Sequence, residues 1–453
     1  MIIIGLLSAL FVIELAGCGL TMSIFARGGR INLIECVCLG WLLGCGVVSL
    51  LLWVGGAFCS GLILQAIVTL LCLILGMIGW RAKRQANAKF YLPKPATITE
   101  WILGSLIVIE IATLVFVCFK HTLGWDGLLN WEIKARYAFL NGGTLPASYY
   151  SSPSRAFSHP EYPLAIPFTE LWLYLWMGEP HQFWVKIIFP LFYAACAPLL
   201  AVLISRLSGN RWVGLLSAFF LAFIPSVLGS PGGIVVGYVD IPLSVYYLAA
   251  LGYLLLWFNT NDARFLTVFA GCSALLPWTK SEGIILWLVV VGVAVVLSMI
   301  KRRVAAVFVS IVPGCALIFA WRIYLKLVHL WPHSDFSRPS LHVLRENISR
   351  LGEIFAILVV SLAERSLWSI FWVLAGVAVI YLFVSRRVDR IAVAGAIIVP
   401  ILLYSLTYVF SNWPTYTAHM TSSFPRLLLH VMPVGWLAIG LALSRPTRET
   451  QEL

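Results

Sequence analysis

The chain has 453 residues, of which 61% are apolar and only 11% are charged, under half the charged share of an ordinary soluble domain. A net charge of +12 would suit a nucleic-acid binder, but the Lys and Arg residues fall in short breaks between apolar runs, without interleaved aromatics, and nucleic acid is set aside. All ten cysteines lie inside or at the edge of apolar runs, and Cys36-x-Cys38 has no second pair, so neither a disulfide framework nor a zinc site is expected.

Apolar runs long enough to cross a bilayer core recur along the chain. They cover 2–25, 32–55, 57–80, 101–119, 182–204, 212–229, 241–258, 264–279, 283–300, 304–324, 367–384, 391–410 and 425–443. The first lacks the basic leader and small-residue cleavage site of a signal peptide and reads as a retained helix. The expected fold class is all-α, a polytopic membrane protein of about thirteen transmembrane helices. Basic residues test its orientation, because cytoplasmic breaks accumulate Lys and Arg. With the N-terminus outside, the inner breaks hold Arg27 and Arg30; Arg81, Lys83, Arg84, Lys89 and Lys94; Arg206 and Arg211; Lys301 to Arg303; Arg386, Arg387 and Arg390; and Arg445 with Arg448.

That orientation leaves two long outer loops, 120–181 and 325–366, and short ones at 230–240, 280–282 and 411–424. The apolar segment 164–178 reads as a juxtamembrane or re-entrant helix, and 354–363 as an interfacial one. Residues 1–100 read as an N-terminal three-helix membrane module, and 101–453 as one helical domain.

Polar clusters punctuate the outer breaks. Gly124-Trp125-Asp126 puts a carboxylate just past the end of a span, followed by Glu132, Lys134 and Arg136 on an amphipathic stretch anchored by Trp125 and Trp131. These are either a site or an ordinary interfacial helix with solvated charges. His159-Pro160-Glu161-Tyr162-Pro163 presents a His and a Glu on a backbone stiffened by proline, unless it is only a rigid turn. Gly237-Tyr238-Val239-Asp240-Ile241-Pro242 starts a span, where Asp240 either caps a helix or serves a site. Lys280 and Glu282 interrupt two apolar runs, as a local salt bridge or as cavity-facing groups, which is the usual reason for ionisable side chains near bilayer depth. Arg426, at the start of the final run, suits a phosphate through its fork of donors, or snorkels to lipid headgroups. All five clusters share one expected face, while the opposite face carries mostly Lys and Arg.

At these residues the sequence resembles the polyprenyl-phosphate-dependent glycosyltransferases of the GT-C superfold, which include protein O-mannosyltransferases and the lipid A aminoarabinose transferase. The likeness runs in order through Trp125-Asp126, His159-Pro160-x-Tyr162-Pro163-Leu164, Gly237-Tyr238-x-Asp240-x-Pro242-Leu243 and Thr279-Lys280-x-Glu282-Gly283, covering 101–303 and the C-terminal third loosely. It implies that 101–453 is a GT-C-like catalytic domain with juxtamembrane helices in its first large outer loop. The implied activity is transfer of a sugar from a polyprenyl-phosphate-linked donor to a glycan, lipid or protein acceptor at the extracytoplasmic side of the plasma membrane. Asp126 maps onto the family's catalytic base, with Glu132 and Glu161 as further catalytic candidates. Lys134, His159, Tyr162, Tyr238, Asp240, Lys280, Glu282 and Arg426 become substrate-binding candidates. The resemblance fixes no cofactor; some relatives use a divalent metal, which Asp126 with Asp240 or Glu161 would hold. Two departures stand out: Glu161 replaces the family's second Pro, and three helices precede the Asp-bearing loop instead of one.

Other readings stay open. A transporter or flippase of a lipid-linked intermediate would use mid-span acids, here Glu14 and Glu110. An O-antigen ligase or polymerase would use the His and Arg residues of 325–366, namely His329, His333, Arg338, His342, Arg345 and Arg350. A non-catalytic assembly subunit would tolerate loss of Asp126.

Overall fold

In a bilayer core no water satisfies the backbone, so each apolar run must close its own hydrogen bonds as a helix. The computed structural model, which describes residues 1–229, 232–332 and 334–444, has this form. The helices are α1 (Ile2–Phe25), α2 (Leu33–Gly55), α3 (Gly61–Gln85), α4 (Ile98–Cys118), α5 (Ile133–Leu140), α6 (Ala165–Met177), α7 (Ile188–Ser208) and α8 (Arg211–Phe219). They continue with α9 (Asp240–Thr260), α10 (Ala263–Thr279), α11 (Gly283–Lys301), α12 (Val304–Leu327), α13 (Leu351–Ala363), α14 (Phe371–Val384), α15 (Val388–Thr407), α16 (Tyr416–Leu429) and α17 (Met432–Leu443). Shorter turns fill the breaks. His333, Arg445 and Arg448 lie outside the described residues.

Every expected span is helical, but not all thirteen are long enough to cross. Among the described residues nine helices meet the length and hydropathy needed, and a tenth does if α16 and α17, bent by 49°, count as one. The segment Arg211–Phe223 falls short because α8 gives way to a 3₁₀ turn at Phe220–Phe223, before Pro225. At 17 and 14 residues, α10 and α14 are also short.

Local chemistry sets the ends. Asn32 caps α2 through Ile34 and Glu35 N–H groups. Thr97 accepts from Glu100 N–H while the Glu100 carboxylate accepts from Ala96 N–H, a near-reciprocal cap on α4. Gly178 and Gly209 end α6 and α7 in the left-handed region that suits glycine. The basic breaks at Arg30–Asn32 (β1) and Lys89–Tyr91 (β2) pair as a short parallel ladder.

The central helix is α9, buried on all sides against α7, α10, α11, α15, α16 and α17. The N-terminal helices join this core: Trp172 of α6 donates to Ala9 O at 3.1 Å, and Tyr246 of α9 donates to Leu42 O at 2.7 Å. At the basic end of the bundle, buried Glu35 accepts from Arg206 at 2.5 Å and Tyr253 at 2.6 Å, tying α2, α7 and α9 together. The candidate residues gather at the other end, where α4, α10 and α15 finish and α9 and α11 begin.

Candidate active site

Asp126 is positioned by two glycines. Gly124 N–H donates to Val236 O at 2.8 Å, and a Cβ on Gly127 would collide with the same carbonyl, so the segment bearing Asp126 lies directly on the 236–237 backbone. Gly237 itself has φ +71° and meets Leu123, a conformation and an approach that other residues resist. This contact brings Asp126 Oδ2 to 2.6 Å from an Arg426 guanidinium nitrogen, while the Tyr238 ring lies 4.5 Å beneath the guanidinium carbon.

Asp240 is the hub. It is fully buried at the N-terminus of α9, where its charge also meets the helix dipole. Its Oδ1 accepts from Lys280 Nζ at 2.8 Å and from His430 Nε2 at 2.7 Å, and its Oδ2 from Arg426 Nε at 3.2 Å. Burying an unpaired carboxylate would be prohibitive, so this three-fold partnership explains how one exists here. Lys280 also reaches Glu282 Oε1 at 3.1 Å. Burial works against the Lys280 charge, but Asp240 and Glu282 outweigh it and raise its pKa. His430 Nδ1 lies 3.2 Å from Tyr404 Oη, linking α15 to the cluster.

From Glu282 the network continues into the first long loop, because Tyr162 Oη donates to Glu282 Oε1 at 3.3 Å. Tyr162 stacks between His159, with ring centres 5.1 Å apart, and Trp131, at 5.5 Å. His159 sits at φ +45°, a conformation uncommon outside glycine, and its Nδ1 lies 3.1 Å from Glu161 Oε1. Burial lowers the His159 pKa, but Glu161 and then Asp335 outweigh that and raise it. Trp321 of α12 pins this turn by donating to Glu161 O at 3.0 Å.

Lys134 is buried beneath the stack, donating to Asn130 Oδ1 at 2.9 Å with its ammonium 5.1 Å from the Trp131 ring centre. Burial pushes the Lys134 pKa down to about 7, against the upward pull of Glu161, Asp126 and Glu170. The unfolded chain holds this proton up to about 10.5. Between those values the unfolded state therefore binds more protons, and folding stability rises with pH. We expect about 2 kcal/mol of added stability from pH 7 to pH 9, read as a rising melting temperature in detergent. Lys134→Met should flatten the rise; an unchanged slope in the variant would assign it to another group.

Ten of the eleven candidate residues thus fall into one continuous array of contacts. Glu132 is the exception. A π-helical turn at Gly127–Glu132 carries it onto another face, where its carboxylate accepts from Arg136 at 2.9 Å, Tyr174 at 2.8 Å and Gln182 at 3.2 Å. Those partners occupy both oxygens, so the geometry gives Glu132 an architectural place between α5 and α6.

His430, Tyr404 and Glu170 were not singled out from sequence. His430 follows Arg426 by four residues, so helical spacing could have put both on one face. Tyr404 and Glu170 lie in apolar runs with no such signal. Glu170 is fully buried, and neither of its oxygens has a hydrogen-bond partner among the described residues.

The donor set does not fit a metal. Among the described residues no three His, Cys, Asp or Glu side chains cluster to hold one. The two carboxylates named as ligands, Asp126 and Asp240, are bridged by the Arg426 guanidinium, which a cation would have to displace. The acids of the transporter reading lie apart: Glu14 in α1 bonds to Cys18, and Glu110 in α4 lies beside Tyr193. In the late loop, Arg350 is bound to the Val409 and Ser411 carbonyls and the Tyr416 ring, and His342 pairs with Glu346 at the surface. Comparison with protein-family models, with curated proteins and with solved structures found no match.

Proposed function

We propose that this chain is a membrane glycosyltransferase that moves a sugar from a polyprenyl-phosphate-linked donor to an extracytoplasmic acceptor, with Asp126 as general base. One observation carries the reading: Arg426 is held between a fully buried carboxylate, Asp240, and a partly exposed one, Asp126. Asp240, backed by Lys280 and His430, fixes the guanidinium in place. Its outward nitrogen is then a preorganised donor for the phosphate of a lipid-linked sugar, in surroundings of low dielectric where such a contact is strongest.

A phosphate at Arg426 competes with Asp126 for the same guanidinium, and so frees that carboxylate to accept a proton. In the proposed step, the acceptor hydroxyl oxygen bonds to the anomeric carbon while the bond from that carbon to the phosphate oxygen breaks. The hydroxyl proton passes to Asp126, and polyprenyl phosphate leaves with the bonding electron pair, its charge met by Arg426 and Lys280. A single displacement inverts the anomeric configuration. The stack of His159, Tyr162 and Trp131 lies beside this centre, and its Tyr162 hydroxyl holds Glu282 toward it.

The basic clusters at the far end of the bundle support an extracytoplasmic site through the positive-inside rule. Two measurements test the reading together. Protein in proteoliposomes, given polyprenyl-phosphate-linked sugars, should release polyprenyl phosphate in an acceptor-dependent way. In intact cells, a Ser154→Cys variant carrying Cys59→Ala and Cys315→Ala should react with an impermeant maleimide, since Ser154 is exposed on the long loop. Lipid translocation without sugar transfer would favour a flippase, and labelling at position 154 only after lysis would reverse the orientation.

A further inference from the structure

Between Glu14 and Glu100 the chain holds one acid, Glu35, and that carboxylate is buried and committed to Arg206 and Tyr253. The same stretch carries Arg27, Arg30, Arg81, Lys83, Arg84 and Lys89, in two runs that α2 and most of α3 keep apart. The fold makes one surface of them. β1 and β2 pair with Arg30 opposite Lys89, Lys89 N–H donates to Gly29 O at 3.0 Å, and Ala88 N–H donates to Lys83 O at 3.0 Å. All six cations but the half-buried Lys83 are exposed. None has an ion-pair partner among the described residues. At the same end of the bundle, Arg206, Arg211, Arg264 and Arg387 pair with Glu35, Glu100, Asp262 and Asp389.

Aromatic faces take the place of carboxylates here. The Lys83 ammonium lies 4.6 Å from the Trp80 ring centre and 4.7 Å from that of Phe90, and the Arg30 guanidinium carbon lies 4.7 Å from that of Tyr91. Such contacts hold the cations in place without neutralising them. Paired residues of a ladder project to one side, so Arg30 and Lys89 repel each other unless an anion lies between them. Trp80, Phe90 and Leu92 are exposed beside the charges. Fixed cations among exposed apolar groups, at the basic ends of α1 and α3, match a headgroup layer, where phosphates meet the cations and rings sit at the boundary. A soluble acidic segment would answer the charges alone. A zwitterionic headgroup brings its own ammonium, so the surplus positive charge selects headgroups of net negative charge.

We propose that β1, β2 and the end of α3 form a docking surface for anionic phospholipid headgroups of the adjoining leaflet, with Arg30 and Lys89 at its centre. The inference is independent of the chemistry at the opposite end of the bundle. Its test uses the full chain with Phe90 replaced by benzoylphenylalanine, in vesicles of equal phosphatidylglycerol and phosphatidylcholine, the crosslinked lipid being identified by mass. Phosphatidylglycerol should be captured over phosphatidylcholine by about tenfold. Raising the ionic strength should shrink that preference, a control that needs no further variant. Arg30→Gln/Lys89→Gln should bring capture of the two lipids to within about twofold of each other. Arg302→Gln/Arg303→Gln, which removes the same charge from another break at that end, should leave the preference intact.

Equal capture of both lipids by the parent protein, or a preference that salt does not alter, would overturn the proposal. So would an equal loss in the two double variants, which would assign the preference to net charge instead of this surface. In native membranes, capture of a protein in place of lipid would identify an acidic partner and overturn it as well.

Discussion

Replacing Asp126 with Asn is expected to lower sugar transfer by about 10²–10⁴-fold, the usual range for losing a general base. The melting temperature should stay close to that of wild type. Both expectations come from the same geometry. Asp126 is partly exposed and its ion-pair partner is Arg426, which keeps the buried Asp240 when Asp126 is gone. An amide oxygen still accepts from the guanidinium, so little packing is lost, but an amide cannot take up the acceptor proton. The measurement is single-turnover transfer in proteoliposomes alongside thermal unfolding in detergent. Transfer at the wild-type rate in the variant would remove Asp126 from the chemistry.

Asp240→Asn is expected to behave in the opposite way, costing about 3–5 kcal/mol of stability because it strips a buried cationic group of its counter-charge. Lys280, Arg426 and His430 converge on this one carboxylate, and Lys280 and His430 are themselves buried. Pairing the change with Lys280→Met should recover at least about 1 kcal/mol relative to the sum of the two single effects, since contacting charges couple. Unfolding midpoints for the two single variants and the double variant supply that cycle. Strict additivity would show that the Lys280–Asp240 pair is not formed. Together the two aspartates separate chemistry from architecture, although they share one arginine.

The candidate residues were legible because ionisable groups are rare in this chain and costly at bilayer depth. Asp126, Asp240, Lys280 and Arg426 stood out against apolar surroundings. Their partners were less visible. Glu132 looked equivalent to Asp126, yet its spacing from Arg136 puts it in an intrahelical pair, completed by Tyr174 from 42 residues away. Tyr404 is one aromatic among many in an apolar run, and only packing brings its hydroxyl to His430. The shortfall at Arg211–Phe223 was not legible: the helix there gives way before Pro225, yet α7, α10, α12 and α15 run on through Pro198, Pro277, Pro313 and Pro400.

The sequence by itself determined that this is a helical membrane protein, where its helices lie, and which polar residues the membrane-like runs leave conspicuous. Each of these follows from the transfer free energy of a local segment, which neighbours along the chain decide. Only the tertiary structure decided that Arg426 stands between Asp126 and Asp240, residues 300 and 186 positions before it. It also decided that Glu132 pairs with Arg136, Tyr174 and Gln182, away from that array. Those facts depend on which helix ends meet, and that is fixed by packing around α9 and by the need of a buried charge for partners, neither of which is written in any one segment.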